Sequence, residues 1–110
     1  MQVKRGEVWK VDFGPEVGGE ILKHRPAAIV SNDVSNRFLN RTQVVPLTSR
    51  VGRLYPSEAY VTLSGRQHKA MADQLTTVSK LRMSGLAGRL SSPDMQKVEQ
   101  VIKVQLGLTP

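Results

Sequence analysis

From residue 8 to residue 13 apolar and polar side chains alternate, with Trp9, Val11 and Phe13 on one side and Lys10 and Asp12 on the other. A repeat of two marks a half-buried strand. The next seven residues, Gly14-Pro15-Glu16-Val17-Gly18-Gly19-Glu20, hold three glycines and a proline, so a mobile loop is expected. Residues 25–31 read as a second strand, with Pro26 near its start, where a missing N–H is tolerated. Residues 32–40 are polar with Val34 and Phe38 four apart, which suits a short helical turn or an Ω-like excursion. Residues 42–49 form a third strand, and Pro46 within it predicts an edge position or a bulge. After a loop at 50–57, further strands are expected at 58–63, 68–72 and 74–79, with Ser64-Gly65 supplying a turn.

The tail changes period. Ser92-Pro93-Asp94 reads as a helix start, with Ser92 as N-cap, Pro93 at the first helical position and Asp94 near the positive end of the dipole. Met95, Val98, Ile102 and Leu106 follow at helical spacing, Val101 widens the stripe, and Gly107 sits where a helix ends. Five to seven short strands and one C-terminal helix of about fifteen residues predict a mainly β domain with small α content. The expected form is a strongly bent antiparallel sheet or partly closed barrel, a single domain over 1–110. So small a core gains much from a second copy, and a homodimer is expected.

Composition narrows the chemistry. The chain carries 16 Lys and Arg against 9 Asp and Glu, a net charge of +7. The excess is concentrated between residues 34 and 72, where Arg37, Arg41, Arg50, Arg53, Arg66 and Lys69 face a single acid, Glu58. A polyanionic partner, nucleic acid or an acidic protein, suits that distribution. There is no cysteine, which excludes disulfides, thiolate metal sites and a Cys nucleophile. His24 and His68 are the only histidines, so no metal or other cofactor is expected. No apolar run is long enough to span a membrane, and the start of the chain lacks the apolar stretch of a secretory leader. Phosphate-loop, dinucleotide and nucleophile-elbow patterns are missing too. What remains is a set of polar residues at strand ends beside the Gly-rich loop: Glu20, Lys23, His24, Arg25, Thr48, Ser49 and Gln74.

Five blocks run in order along nearly the whole chain. They are Arg5-Gly6-Glu7-Val8-Trp9, Gly19-Glu20 with Lys23-His24-Arg25-Pro26, Ile29-Val30-Ser31-Asn32-Asp33 with Asn36, Val44-Val45-Pro46-Leu47-Thr48-Ser49, and residues 73–80 (Asp-Gln-Leu-Thr-Thr-Val-Ser-Lys). Together they resemble the MazF/PemK (Kid) toxin family; the arginine-proline block followed by Pro-Leu-Thr-Ser is the specific part. The resemblance implies an SH3-like barrel with a C-terminal helix, dimeric, acting in the bacterial cytoplasm as the toxin of a type II toxin–antitoxin pair. It further implies a metal-independent endoribonuclease that cuts single-stranded messenger RNA at short motifs. The substrate's own 2′-hydroxyl would attack, leaving 2′,3′-cyclic phosphate and 5′-hydroxyl ends.

On that pattern Arg25 handles proton transfer and charge stabilisation, and Thr48 donates to the phosphate. Glu20, Gln74, Ser49, Lys23 and Arg50 would contact substrate. A guanidinium stays protonated in proteins, so Arg25 reads first as a stabiliser and acid, and His24 is the alternative base. Residues 50–66, where the family varies, are expected to set RNA sequence preference. An acidic antitoxin segment is the implied protein partner. Two competing classes are a CcdB-like DNA-gyrase poison, which would not need Arg25, Thr48 and Gln74, and a non-catalytic RNA-binding barrel, which five aromatic residues serve poorly.

Overall fold

The computed structural model describes residues 2–15, 18 and 24–108. Seven strands lie among the described residues: β1 (Glu7–Asp12), β2 (His24–Ile29), β3 (Arg41–Thr48), β4 (Glu58–Leu63), β5 (Arg66–Met71), β6 (Thr76–Ser79) and β7 (Met83–Arg89). They form one curled antiparallel sheet in the order β4-β5-β3-β2-β1-β7, with β6 paired to the first half of β3. A short helix α1 (Asp33–Phe38) joins β2 to β3, and α2 (Ser92–Leu106) closes the chain. Among the described residues, no helix is long and apolar enough to cross a membrane. Most of the loop expected at 14–20 lies outside the described residues.

The strand β3 is the hub, and it corrects the expectation for Pro46. Rather than lying at an edge, β3 pairs with β2 on one side and with β6 and then β5 on the other. Pro46 is fully buried. It falls between Val44, where pairing with β6 ends, and Leu47, where pairing with β5 begins. A residue without an N–H costs least at such a change of partner.

The strand β7 is absent from the sequence-based expectations. Its residues, Met83-Ser84-Gly85-Leu86-Ala87-Gly88-Arg89, lack the β-branched alternation of a strand. It pairs with β1 through two register shifts, which increase local twist and bend the sheet back on itself. Gly88 completes the curl: a Cβ there would lie 2.8 Å from Leu63 Cδ1, so any larger residue would push the Leu63 side chain aside where the two ends of the sheet meet.

The helix α2 starts one residue earlier than expected. Its N-cap is Ser91, whose Oγ accepts from the Asp94 amide at 3.2 Å. Asp94 favours the helix N-terminus and also accepts the Thr62 amide at 2.8 Å, which ties the helix to β4. Gly107 ends the helix in a left-handed conformation. Of the apolar stripe, Met95 and Val98 are buried, Val101 and Ile102 are half-buried, and Leu106 is exposed.

Two cores lie on opposite faces of the sheet. One joins Met95 and Val98 of α2 to Val8, Val45, Leu47, Val61 and Ala70. The other gathers Val11, Ala27, Ile29, Val44 and Met83, with Trp9 and Phe13 packed half-buried against it. The expected turn at 32–40 is α1, capped by Asn32 Oδ1 on the Ser35 amide. Val34 and Phe38 stand exposed, and the turn is held instead by fully buried Asn36, which bonds Ser31 and Thr42. Asp33 accepts the Arg5 amide and the Asn36 side chain, and these bonds hold its carboxyl below the usual carboxylate range.

Candidate active site

Register places the candidate residues side by side. The β2–β3 ladder ends at Ala27 and Pro46, and Arg25 and Thr48 each lie two residues beyond that pair, on the sheet face that Ala27 and Pro46 share. Arg25 pairs with Val11 of β1, and Val11 pairs with Met83 of β7. In the other direction Thr48 pairs with Lys69 of β5, and Lys69 with Tyr60 of β4. One row therefore runs Met83, Val11, Arg25, Thr48, Lys69, Tyr60 across six strands, apolar at one end and polar from Arg25 onward.

Arg25 carries the clearest sign of unfinished chemistry. Its Nε is buried and has no hydrogen-bond partner among the described residues. A desolvated guanidinium N–H without an acceptor is unfavourable, and an arriving phosphate oxygen would satisfy it. Thr48 is the last residue of β3 and is 7% exposed. Its Oγ1 accepts the Arg50 amide at 3.2 Å, which occupies a lone pair and leaves the hydroxyl proton to be donated. Neighbouring Arg25 and Thr48 thus offer a cationic N–H and an O–H to one anion.

The remaining candidates separate. Ser49 and Arg50 are exposed immediately after Thr48. Gln74 is half-buried at the end of a 3-10 turn, two residues before Thr76, which pairs with Val44. Glu20 and Lys23 lie outside the described residues. His24 is exposed and next to Arg25 on β2, so strand alternation turns it to the opposite face. His68 belongs to the α2-side face, opposite Val61, with Nδ1 3.1 Å from the Arg66 carbonyl oxygen. Among the described residues, no three His, Asp or Glu side chains cluster as a metal-ligand set.

Lys69 requires a correction. Sequence grouped it with the arginines as charge available to a polyanion, yet it is 7% exposed and pairs with Glu58 at 2.8 Å. The single acid of the basic segment therefore neutralises its single lysine. Arg37, Arg41, Arg50, Arg53 and Arg66 are all exposed and carry the charge available there. The signal was present in the sequence: one acid among six basic residues, within a short strand-forming stretch.

Residues 4–106 match the family model described as PemK-like, MazF-like toxin of type II toxin–antitoxin system. The chain belongs to this family. Among relatives of this MazF-like toxin, Endoribonuclease MazF9 of Mycobacterium tuberculosis is 34% identical over 96% of this chain and 98% of its own length. Endoribonuclease EndoA of Bacillus subtilis is 28% identical over 98% and 97%. A mycobacterial endoribonuclease solved in complex with its cognate antitoxin superimposes with a TM-score of 0.83 at 26% identity, covering 98% of each chain. MazF from Deinococcus radiodurans gives 0.85 at 23% identity over 97% and 98%, a likeness of fold. The small curled barrel with a C-terminal helix is the architecture that these MazF-like toxins share.

Proposed function

We propose that this chain is an endoribonuclease toxin that cleaves single-stranded RNA at Arg25 and Thr48, in the middle of the row, by attack of the substrate's own 2′-hydroxyl. The observation that carries the reading is the buried Arg25 Nε without an acceptor among the described residues, on the sheet face that also holds a Thr48 hydroxyl whose lone pair is already engaged.

The attacking 2′-oxygen forms a bond to phosphorus, the bond from phosphorus to the 5′-oxygen breaks, and the products are a 2′,3′-cyclic phosphate and a 5′-hydroxyl. Nothing in this step needs a protein nucleophile. It needs donors fixed where negative charge develops on the phosphorane. Arg25 supplies a charged N–H to that oxygen and a proton for the departing 5′-oxygen, and Thr48 supplies a second donor. Water takes the 2′-hydroxyl proton and returns one to Arg25, and His24 is set aside as the base because it stands on the other face of β2. Ser49 and Arg50 follow Thr48 and hold the adjoining nucleotides. Gln74, Glu20 and Lys23 complete the substrate contacts on the family's pattern.

The wider reading follows from the surface. A net charge of +7, with exposed arginines through the middle of the chain, suits RNA and an acidic antitoxin segment that competes for the same surface. Exposed Leu81, Leu86, Val104, Leu106 and Leu108 suit burial against a second copy, giving a homodimer. The bacterial cytoplasm, where messenger RNA is found, is the expected place of action.

The test is cleavage of a long single-stranded RNA in excess EDTA with analysis of the fragment ends. Fragments ending in 2′,3′-cyclic phosphate and 5′-hydroxyl are expected. Intact RNA, or 3′-hydroxyl ends, would overturn the reading, and a gyrase-supercoiling assay would follow.

A further inference from the structure

The segment from residue 50 to residue 55 continues directly from Thr48 and covers the polar end of the row. Three side chains hold its backbone at alternate residues. The Tyr60 hydroxyl donates to the Val51 carbonyl at 2.9 Å. Lys69 Nζ donates to the Arg53 carbonyl. The Tyr55 amide donates to Glu58 Oε1 at 2.9 Å. Lys69 and Glu58 are themselves paired at 2.8 Å, with side chains 8% and 10% exposed. A buried ion pair adds little net stability compared with apolar side chains of similar size. What this one does is fix the loop, since each partner spends a further contact on it.

The same tethers leave two side chains outside. Arg53 is exposed and its guanidinium carbon lies 5.0 Å from the centre of the Tyr55 ring, which is 52% exposed. Lys69 Nζ lies 5.6 Å from that ring centre, so the ring is steadied from within as well. An aromatic face and a guanidinium plane held together are the groups on which unstacked RNA bases stack and are read. Holding them before the ligand arrives lowers the ordering cost of binding.

We infer that residues 50–55 are a preformed base-reading loop for single-stranded RNA. Arg53 and Tyr55 are its specificity-determining pair, and Lys69, Glu58 and Tyr60 are positioning residues that keep it in register with Thr48. The inference rests on the nuclease reading above. It assigns to Lys69, through Glu58, a role that its charge alone does not suggest.

The experiment compares the full chain with Tyr60→Phe, Arg53→Ala and Lys69→Met. Cleavage rates are measured on an RNA oligonucleotide holding the preferred site and on oligonucleotides with single mismatches beside the cut. Tyr60→Phe removes one hydroxyl at a half-buried ring and keeps the testing possible if Lys69→Met does not fold. Expected is a fall of roughly tenfold in the ratio of preferred to mismatched rates, with the mismatched rates within a few-fold of the parent. Amide hydrogen exchange at residues 50–55 is expected to speed up in Tyr60→Phe while β1 and β2 stay protected. A uniform loss across all oligonucleotides, with the ratio unchanged, would make these residues merely structural and overturn the inference. A parent chain that leaves every RNA intact would instead remove the nuclease reading itself.

Discussion

Leu47 and Thr48 are neighbours on β3, and Ala70 and Lys69 are neighbours on β5, yet each pair divides between two worlds. Leu47 and Ala70 face the core under α2, where side chains are apolar and fully buried. Thr48 and Lys69 face the other way, in a row that turns polar from Arg25 onward. The first face needs only volume and apolar surface to be stable. The second holds donors whose arrangement adds little to folding, and one of them, Arg25 Nε, has no partner among the described residues. Strand alternation is what permits this, since where β3 meets β5 one residue serves the core under α2 and its neighbour the polar row. A buried guanidinium N–H without an acceptor among the described residues is a cost that a stable core does not explain and an anionic substrate does.

The sharpest way to break this contrast is at Arg25. Arg25→Ala is expected to lower RNA cleavage by about a thousandfold or more while leaving the melting temperature unchanged or slightly raised. Near-normal cleavage would remove Arg25 from the mechanism. The neighbours Leu47 and Thr48 give the next largest test. Thr48→Val keeps the shape and deletes the donor, with an expected rate loss of ~100-fold and little change in stability. Leu47→Ala reverses the pattern, losing about 2–5 kcal/mol of stability in urea melts while the molecules that stay folded cleave well. Equal effects of the two changes on both measurements would dissolve the distinction between the faces.

Smaller effects probe the frame alone. Ser91→Ala removes the cap of α2 and is expected to cost about 1 kcal/mol without changing the cleavage rate. Asp33 gives the smallest effect and a definite sign. Its folded carboxyl is held below its ordinary range, so it adds stability above the unfolded value and loses it as pH falls through the folded one. Wild type should therefore exceed Asp33→Asn in thermal stability at neutral pH, and the gap should close on acidification. A gap that persists in acid would show that the effect is not electrostatic.

Much of this frame is legible in the chain, and the misses have physical causes. Periodicity marks β1 and α2 because each is long enough to show its repeat. The cap of α2 shifts by one residue because two serines stand in line, and only backbone geometry chooses Ser91 over Ser92. The strand β7 escapes because glycine and alanine fill it to let the sheet curl, which erases the alternation that strand reading depends on. Pro46 misleads because a proline excludes a ladder bond, and the sequence does not reveal that β3 changes partners there.

For the site, family pattern points to Arg25 and Thr48, and both lie on one sheet face, two residues beyond the Ala27–Pro46 pair. Lys69 and Tyr60 are invisible to sequence as neighbours of Thr48. The pairing of β3 with β5 skips a strand, and no local spacing encodes a skipped strand.

The central claim, that Arg25 and Thr48 act on one phosphate, is tested most directly by a double-mutant cycle on the cleavage rate. Arg25→Ala, Thr48→Val and the combined variant are compared with the parent on one oligonucleotide at saturating substrate. Two donors serving one developing charge are coupled, so the combined loss should be far smaller than the product of the two single losses. A combined loss equal to that product would mean that the residues act independently and would contradict the shared site.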